Sequence, residues 1–241
     1  MTGADLGAAP VGDRSRSHLA LALDLDDLGD ARSLARRLAP WFAVAKVGLE
    51  LFAAAGSEAV RALSEDGFEV FLDLKLHDIP ETVGRAARVL GRCGARYVTF
   101  HTSGGEAMLA AGVAGLAAGA AEVGRAAPAA LGVTVLTSTR DAPAQLLAER
   151  AALASASGCA GIVCAAADLP VVRAAAPGLL RVVPGTRPRG APVHDQARVA
   201  TPEEAVAAGA DLLVVGRSVT RADDPERAAA RLAATLRDHV T

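Results

Sequence analysis

Eight short runs of strand-forming residues alternate along the chain with Ala-rich segments long enough to form a helix. Strict alternation of strand and helix implies parallel strands joined by right-handed crossovers. Eight such units in 241 residues match the size of a closed (β/α)8 barrel. We therefore predict an α/β protein with a single-domain TIM barrel. The predicted strands span residues 18–25, 42–48, 68–75, 96–101, 130–137, 160–165, 179–185 and 211–216.

An open, doubly wound sheet is the structural alternative to the barrel. Such a sheet often carries a G-x-G-x-x-G turn after its first strand, and none follows residues 18–25. Residues 1–17 lack the apolar region of a secretory signal and are predicted to form a flexible polar extension. Residues 18–241 then form the barrel domain.

The composition argues against several classes of protein. A net charge of -2 disfavours a nucleic-acid-binding protein, which usually presents a basic face. No run of about 18 apolar residues is present, so no transmembrane helix is expected. Three cysteines without metal-ligand spacing favour reduced thiols and hence a cytoplasmic location.

Two helices have recognisable signals. Thr201, Pro202 and Glu204 have the spacing of a capping box with proline at the first helical position. Gly209 is predicted to end that helix. Residues 104–124 are Ala-rich and apolar, and they are predicted to form a helix packed against the barrel, although internal glycines disfavour helix locally.

The stretch FLDLKLHDIP, residues 71–80, places three charges in a segment that otherwise has the pattern of a buried strand. Burying a charge is costly unless the charge is paired, so folding alone would not select Asp73, Lys75 and Asp78. Of the 25 basic residues, only Lys46 and Lys75 are lysines. Lysine is a compact charge that can lose its proton, which indicates a function that arginine cannot perform.

These charges fall at the carboxyl ends of predicted strands, where TIM barrels have their active sites. Asp73 and Lys75 are two residues apart, so strand periodicity puts them on one face, with Asp24 and Lys46 on neighbouring strands. Asp78 follows on the loop. A structural salt-bridge network at the barrel rim is the alternative interpretation. The convergence of both lysines with three carboxylates favours a catalytic cluster.

A second signal lies after the last two predicted strands, where TIM barrels commonly bind phosphate. Gly216 lets the backbone approach an anion, and Arg217 offers a bidentate guanidinium. Gln196 lies in the long preceding loop and can add an amide donor from a mobile lid. The histidines lack metal-ligand spacing, so no metal site is predicted, and His77 is assigned a structural role.

The segment DLKLHDIPETV resembles the D-x-K-x-x-D-I-P-x-T signature of the orotidine 5′-phosphate decarboxylase family. The resemblance covers nearly the whole chain from about residue 18. The other matching segments follow in family order: ALDLDD, AKVGLELF, VTFHTSGGEAM, GVTVLTS, VVPGTRP, DQARVATP and GADLLVVGRSV.

This resemblance implies decarboxylation of orotidine 5′-monophosphate to UMP and CO2, the last step of de novo pyrimidine synthesis. It implies a homodimer that uses no cofactor and no metal. Lys75 would be the proton donor to C6 of the pyrimidine, and Asp73 would lie beside the leaving carboxylate. Lys46 would hold Asp73 and a ribose hydroxyl, while Asp24 would bind the ribose.

The resemblance also implies that each subunit completes the site of the other. Asp78 and Thr82 would reach across the dimer interface into the partner's site, and Thr137 would contact the pyrimidine. The remaining substrate-binding positions implied are Ile79, Pro184, Arg187, Gln196, Gly216 and Arg217, the last four at the phosphate.

Two other functions stay open at this point. Magnesium-dependent sugar-phosphate decarboxylases and synthases share the Asp-Lys-x-x-Asp core on the same barrel, but they usually lack the continuation Ile79-Pro80-x-Thr82. A non-catalytic phosphate-binding barrel is an alternative of another class. The presence of every charged position and of both lysines argues against it.

Overall fold

The chain forms a closed barrel of eight parallel strands in a computed structural model that describes residues 14–136, 139, 142–187 and 200–237. Each strand pairs with the next along the chain, and the first pairs with the last. The predicted TIM barrel is confirmed. The strands are β1 (Leu19–Leu23), β2 (Val44–Val47), β3 (Glu69–Leu76), β4 (Tyr97–His101), β5 (Ala129–Val133), β6 (Gly161–Val163), β7 (Leu180–Pro184) and β8 (Leu212–Val215).

Helices connect the strands on the outside of the barrel. Within the described residues they are α1 (Leu28–Leu38), α2 (Leu49–Ala55), α3 (Ser57–Glu65), α4 (Pro80–Gly91), α5 (Gly105–Glu122), α6 (Ala144–Ala156), α7 (Leu169–Ala175), α8 (Pro202–Ala207), α9 (Arg217–Thr220) and α10 (Pro225–Leu236). Short 3-10 helices occur at Arg14–His18, Thr102–Gly104 and Ala166–Asp168.

The predicted helix signals are confirmed. At the start of α8, the Thr201 hydroxyl accepts from the Glu204 amide at 3.2 Å, and the Glu204 carboxylate accepts from the Thr201 amide at 2.9 Å. The helix ends at Ala207, and Gly209 follows with a φ of +101°, a conformation that favours glycine. Most strands are shorter than predicted because residues at one or both of their ends belong to the loops.

Alternate strand residues divide the core into two apolar layers. Residues facing outward pack beneath the helices and form the larger layer. Residues facing inward fill the barrel itself, so the barrel is a packed core below a cavity at its mouth. The buried members of this inner layer are Ala20, Ala22, Val44, Phe71, Leu131, Val133, Val163, Val182, Leu212 and Val214.

Glycines allow α4 and α5 to pack in close contact. A Cβ added at Gly91 would overlap the carbonyl oxygen of Leu116, and one at Gly119 would overlap the carbonyl oxygen of Arg88. The segment Thr102–Glu122 is long and apolar enough to cross a membrane by length and composition alone, and 39% of its apolar window is buried in the protein. Core helices of globular proteins have the same length and composition, so this helix alone is weak evidence for a membrane span.

The described end of the predicted N-terminal extension contacts the barrel. Ser15 is buried, Arg16 Nε donates to the carbonyl of Phe42 at 3.2 Å, and the amide of Ala43 donates to the carbonyl of Arg16 at 3.1 Å. Residues 1–13 lie outside the described residues, so the proposed flexibility of the extension stays a prediction.

An ion-pair cluster joins α1 to the end of α3. Asp66 accepts from Arg32 at 2.7 Å and from Arg36 at 2.7 Å, and its side chain is only 7% exposed. The hydrogen bond from Arg32 is the main reason that the pKa of Asp66 falls from 3.8 to about 2, with Arg36 adding to the effect against the cost of burial.

We expect Asp66→Asn to lower the free energy of unfolding by about 1–2 kcal/mol at neutral pH. Because the pKa of Asp66 is lowered in the folded protein, its contribution is present above the ordinary carboxyl pKa and is lost as the pH falls toward about 2. Urea unfolding at several pH values measures this difference. Glu226→Gln is the matched control, since Glu226 pairs with Arg37 but its side chain is 37% exposed, against 7% for Asp66. Equal losses in the two variants, or a difference that does not change with pH, would contradict the assignment.

Candidate active site

A cavity of about 400 Å³ lies at the carboxyl ends of the strands. Its volume is in the range of small-molecule sites, roughly 300–1,000 Å³. The wall combines charged residues at two sides with apolar residues between them. The lining residues are Ala22, Asp24, Lys46, Phe71, Asp73, Lys75, Val133, Val135, Leu136, Val163, Cys164, Pro184, Gly185, Arg187, Val214, Gly216, Arg217, Thr220 and Arg221.

Four charged side chains form a row of alternating sign, one from the residue directly after β1 and three from β2 and β3. Lys46 Nζ lies 3.1 Å from Asp24 Oδ1 and 3.8 Å from Asp73 Oδ2. Lys75 Nζ lies 2.8 Å from Asp73 Oδ2. The Lys46 side chain is 9% exposed, and two carboxylates offset the cost of burying its ammonium. The row is therefore electrically balanced before any ligand binds.

Gly48 makes room for this row. A Cβ at Gly48 would lie 3.2 Å from both Asp24 Oδ1 and Lys46 Nζ, closer than most real contacts of a Cβ. With a larger residue at this position, directly after β2, both charged groups would have to shift by a few tenths of an ångström. Glycine is favoured at this position because it leaves space for the ion pair, and not because of an unusual backbone conformation.

Lys75 has an unusual backbone. Its φ of +50° makes it the one non-glycine residue with positive φ in the described part of the chain. This conformation costs about 1–2 kcal/mol for an L-residue, and such strain is concentrated at functional sites. The β3–β4 register also shifts: Leu72 pairs with Val98, whereas Leu76 pairs with Phe100. Asp73 and Lys75 share the cavity as predicted, but on an irregular segment rather than a regular strand.

The opposite side of the cavity is basic. Arg187 follows β7 and is 5% exposed, and its Nη1 donates to the carbonyl of Thr186 at 3.1 Å. Arg217 and Arg221 line the same side from the segment after β8. A Cβ at Gly216 would be in ordinary contact with Ala22 at 3.5 Å, so internal packing does not require glycine there. The space at Gly216 suits the approach of an anion to the backbone.

Arg221 lines the cavity but was not predicted from the sequence as a site residue. It lies four residues after Arg217, a helical spacing that brings two arginines to one side of the cavity. Cys164, Thr220 and Gly185 also line the cavity without having been predicted. Of these four residues, only Arg221 had a signal in the sequence that could have identified it, namely its helical spacing from Arg217.

Three predicted site residues lie outside the cavity of their own barrel, two in the β3–α4 loop and one in α4. Asp78, Ile79 and Thr82 are exposed and do not line the cavity, and Ile79 is 64% exposed. The Asp78 carboxylate accepts from the Ile79 amide at 2.6 Å. Two further predicted site residues, Thr137 and Gln196, lie outside the described residues, so their roles stay predictions.

His77 and His101 form a pair beside the cavity, with ring centroids 5.5 Å apart. Burial lowers the pKa of His101, and the nearby His77 and Lys75 lower it further. No group of three or more His, Cys, Asp or Glu side chains in the described part of the chain has a metal-binding arrangement. The structural role assigned to His77 stays a prediction.

None of the three cysteines, all of which lie within the described residues, forms a disulfide. Burial raises the pKa of Cys159 to about 11 and also raises that of Cys93. A raised thiol pKa disfavours the reactive thiolate.

The chain is similar to known proteins over most of its length. A family model described as Orotidine 5'-phosphate decarboxylase / HUMPS family matches residues 17–232. A protein of Anaeromyxobacter sp. (strain K) named orotidine 5'-phosphate decarboxylase is 48% identical over 226 residues, which cover 89% of this chain and 96% of that protein. One of Moorella thermoacetica with the same name is 42% identical over 235 residues, covering 92% of this chain and 93% of that protein.

Solved structures are also similar. The crystal structure of orotidine 5'-phosphate decarboxylase from Lactobacillus acidophilus has a TM-score of 0.75 and 33% identity, covering 89% of this chain and 96% of that chain. The corresponding structure from Pyrococcus horikoshii OT3 has a TM-score of 0.71 and 25% identity, covering 92% and 98%.

Proposed function

The chain belongs to the orotidine 5′-phosphate decarboxylase / HUMPS family, and we infer that it decarboxylates orotidine 5′-monophosphate to UMP and CO2. The family description spans more than one activity, but the curated relatives cited above are named for this one. One structural observation carries the proposal at the level of chemistry. Lys75 presents an ammonium at the cavity, held at 2.8 Å by Asp73, within the row of alternating charges.

Lys75 is the group that we assign to the proton transfer. Loss of CO2 breaks the bond between C6 and the carboxylate carbon, and the electron pair stays on C6 in an orbital with little ring delocalisation. A positioned ammonium stabilises this negative charge as it develops. Lys75 then transfers a proton from Nζ to C6 and regains one from solvent.

Asp73 and Lys46 act on the other side of the reacting carbon in this proposal. Asp73 lies beside the substrate carboxylate, so the repulsion between two anions is relieved when CO2 leaves. Lys46 holds Asp73 and a ribose hydroxyl, and Asp24 binds the ribose. The contacts of Lys46 with both carboxylates support this arrangement.

The basic side of the cavity is assigned to the phosphate. Arg187 and Arg217 bind its oxygens with bidentate geometry, and the backbone at Gly216 approaches it closely. Binding the phosphate far from C6 supplies energy that closure of the site can use at the reacting carbon. Thr137 is proposed to contact the pyrimidine. The other proposed substrate contacts are Ile79, Pro184 and Gln196.

We propose that the protein is a cytoplasmic homodimer in which each subunit completes the other's site. Asp78 and Thr82 are exposed on their own barrel, and the neighbouring Ile79 exposes a large apolar side chain. An isologous two-fold interface at this surface would bury Ile79 and deliver both polar residues to the partner. Neither nucleic acid nor membrane is a proposed partner.

The direct test is an absorbance assay for consumption of orotidine 5′-monophosphate by the purified protein. We expect turnover that survives exhaustive chelation with EDTA. Lys75→Arg keeps the charge but is a far poorer acid, so it should be nearly as inactive as Lys75→Ala, which also excludes a contaminating host enzyme. Activity that needs added magnesium would instead indicate a sugar-phosphate decarboxylase or synthase. Near-wild-type kcat in Lys75→Arg would contradict the assigned proton transfer.

Arg217→Ala tests the phosphate site. We expect kcat/KM for the nucleotide to fall about 100-fold, the effect of losing a charged hydrogen bond, whereas kcat/KM for orotidine without phosphate should hardly change. Arg231→Ala is the control, because Arg231 is exposed on α10 and does not line the cavity. Equal losses on both substrates would mean that Arg217 acts through folding or elsewhere in the site.

Subunit exchange tests the shared site. Lys75→Ala and Asp78→Ala should each be inactive alone, but a mixed dimer would contain one site with both substitutions and one with neither. Random exchange makes about half of the dimers mixed, so roughly a quarter of all sites should regain wild-type composition.

The matched control for this experiment mixes Lys75→Ala with Asp73→Ala, two substitutions in the same cavity, and should restore nothing. Exchange is confirmed by mass spectrometry in both mixtures. If Lys75→Ala and Asp78→Ala together give only the sum of the two parents, Asp78 serves its own barrel and the shared site is refuted.

A further inference from the structure

Thr99 places a hydroxyl group in an otherwise apolar part of β4. Its side chain is completely buried, and its neighbours Val98 and Phe100 are buried apolar residues. A buried hydroxyl is costly unless it forms hydrogen bonds, so a threonine at this position needs partners nearby.

The partners of Thr99 are two residues of the charged row. The amide of Lys75 donates to Thr99 Oγ1 at 2.8 Å, and Thr99 Oγ1 lies 3.1 Å from Asp73 Oδ1 and 3.5 Å from the carbonyl of Leu72. A hydroxyl has one proton and can accept at its lone pairs. The nearer, ionised acceptor takes the proton, so Thr99 accepts from Lys75 and donates to Asp73.

This double contact falls where β3 is irregular. From the pair Leu72–Val98 to the pair Leu76–Phe100, β3 advances by four residues while β4 advances by only two. The amide of Lys75 therefore bonds to a side chain of β4 rather than to a carbonyl of the regular ladder. Thr99 satisfies an amide that lies at the residue with a φ of +50°.

The contact with Asp73 fixes the orientation of the carboxylate. Thr99 occupies Oδ1, and Oδ2 faces Lys75 at 2.8 Å and Lys46 at 3.8 Å. Rotation of the carboxylate would exchange these partners and break the short contact with Lys75. One hydroxyl thus holds the backbone of Lys75 and the side chain of Asp73 in the same arrangement.

We propose that Thr99 is a positioning residue for the decarboxylation, acting on Lys75 through its amide and on Asp73 through its carboxylate. The proposal rests on the function inferred above. Thr99 does not line the cavity, so it acts through the other two residues. Its loss should therefore lower kcat, whereas nucleotide binding by the arginines across the cavity should persist.

Thr99→Val tests this inference, since valine keeps the shape and removes the hydroxyl. We expect kcat to fall about 100-fold, the effect of a misplacement of about 1 Å at a reacting group. The affinity for UMP, measured by calorimetry, should change less than about threefold because the phosphate contacts remain. Thr99→Ser restores the hydroxyl and should return kcat to within about fivefold of wild type.

Thr102→Val is the matched control. Thr102 is also buried, at the start of the 3-10 helix that directly follows β4, and its hydroxyl donates to the carbonyl of Val133 at 2.8 Å. Thr102→Val should lower the thermal midpoint while leaving kcat unchanged. Thr99→Ala is made in parallel, so that a variant without the hydroxyl is available should valine prevent folding.

The outcomes separate this inference from the proposed function. Wild-type protein that fails to consume orotidine 5′-monophosphate overturns the function and the role of Thr99 with it. Active wild type with unchanged kcat in a folded Thr99→Val or Thr99→Ala variant overturns the positioning role alone. So does a loss of kcat that Thr99→Ser fails to reverse, or a loss of the same size in Thr102→Val.

Discussion

The carboxylate of Asp73 lies among groups from three neighbouring strands, and the geometry of the cavity depends on it. Lys46 from β2, Lys75 from β3 and Thr99 from β4 all contact its two oxygens. The Asp73 side chain is 16% exposed, and a carboxylate with so little access to water needs such partners, whose positions it fixes in return. Replacing Asp73 would leave the buried ammonium of Lys46 with only the more exposed Asp24.

The cavity therefore has two sides that act on different parts of a ligand. The row of alternating charges is balanced, whereas the side formed by Arg187, Arg217 and Arg221 is positive. In the proposed function, the positive side binds the phosphate of the substrate and thereby brings the other end of the substrate to Lys75. Orientation of this kind converts binding energy into correct placement at the reacting atom.

The sequence predicted the fold well because the rhythm of strands and helices depends on local residue pattern. It also predicted the charged row, since Lys46 and Lys75 are rare lysines at strand ends. The strained backbone of Lys75 could not be predicted, because residues 69–76 have the alternation of a regular strand. The irregularity is coupled to a hydroxyl of β4, and contacts between strands leave no trace in the local pattern. Thr99 was not predicted as a site residue for the same reason.

Lysine and arginine occupy different sides of the cavity, and the difference follows from the chemistry of the two side chains. The protein has 23 arginines among its 25 basic residues, yet both basic residues in the charged row are lysines. A planar guanidinium suits the oxygens of a phosphate, but it holds its proton too tightly to serve as an acid. An ammonium is smaller, fits between two carboxylates, and can transfer a proton. In the proposed function, the arginines therefore bind the phosphate, Lys75 transfers the proton, and the two tasks are separated within one cavity.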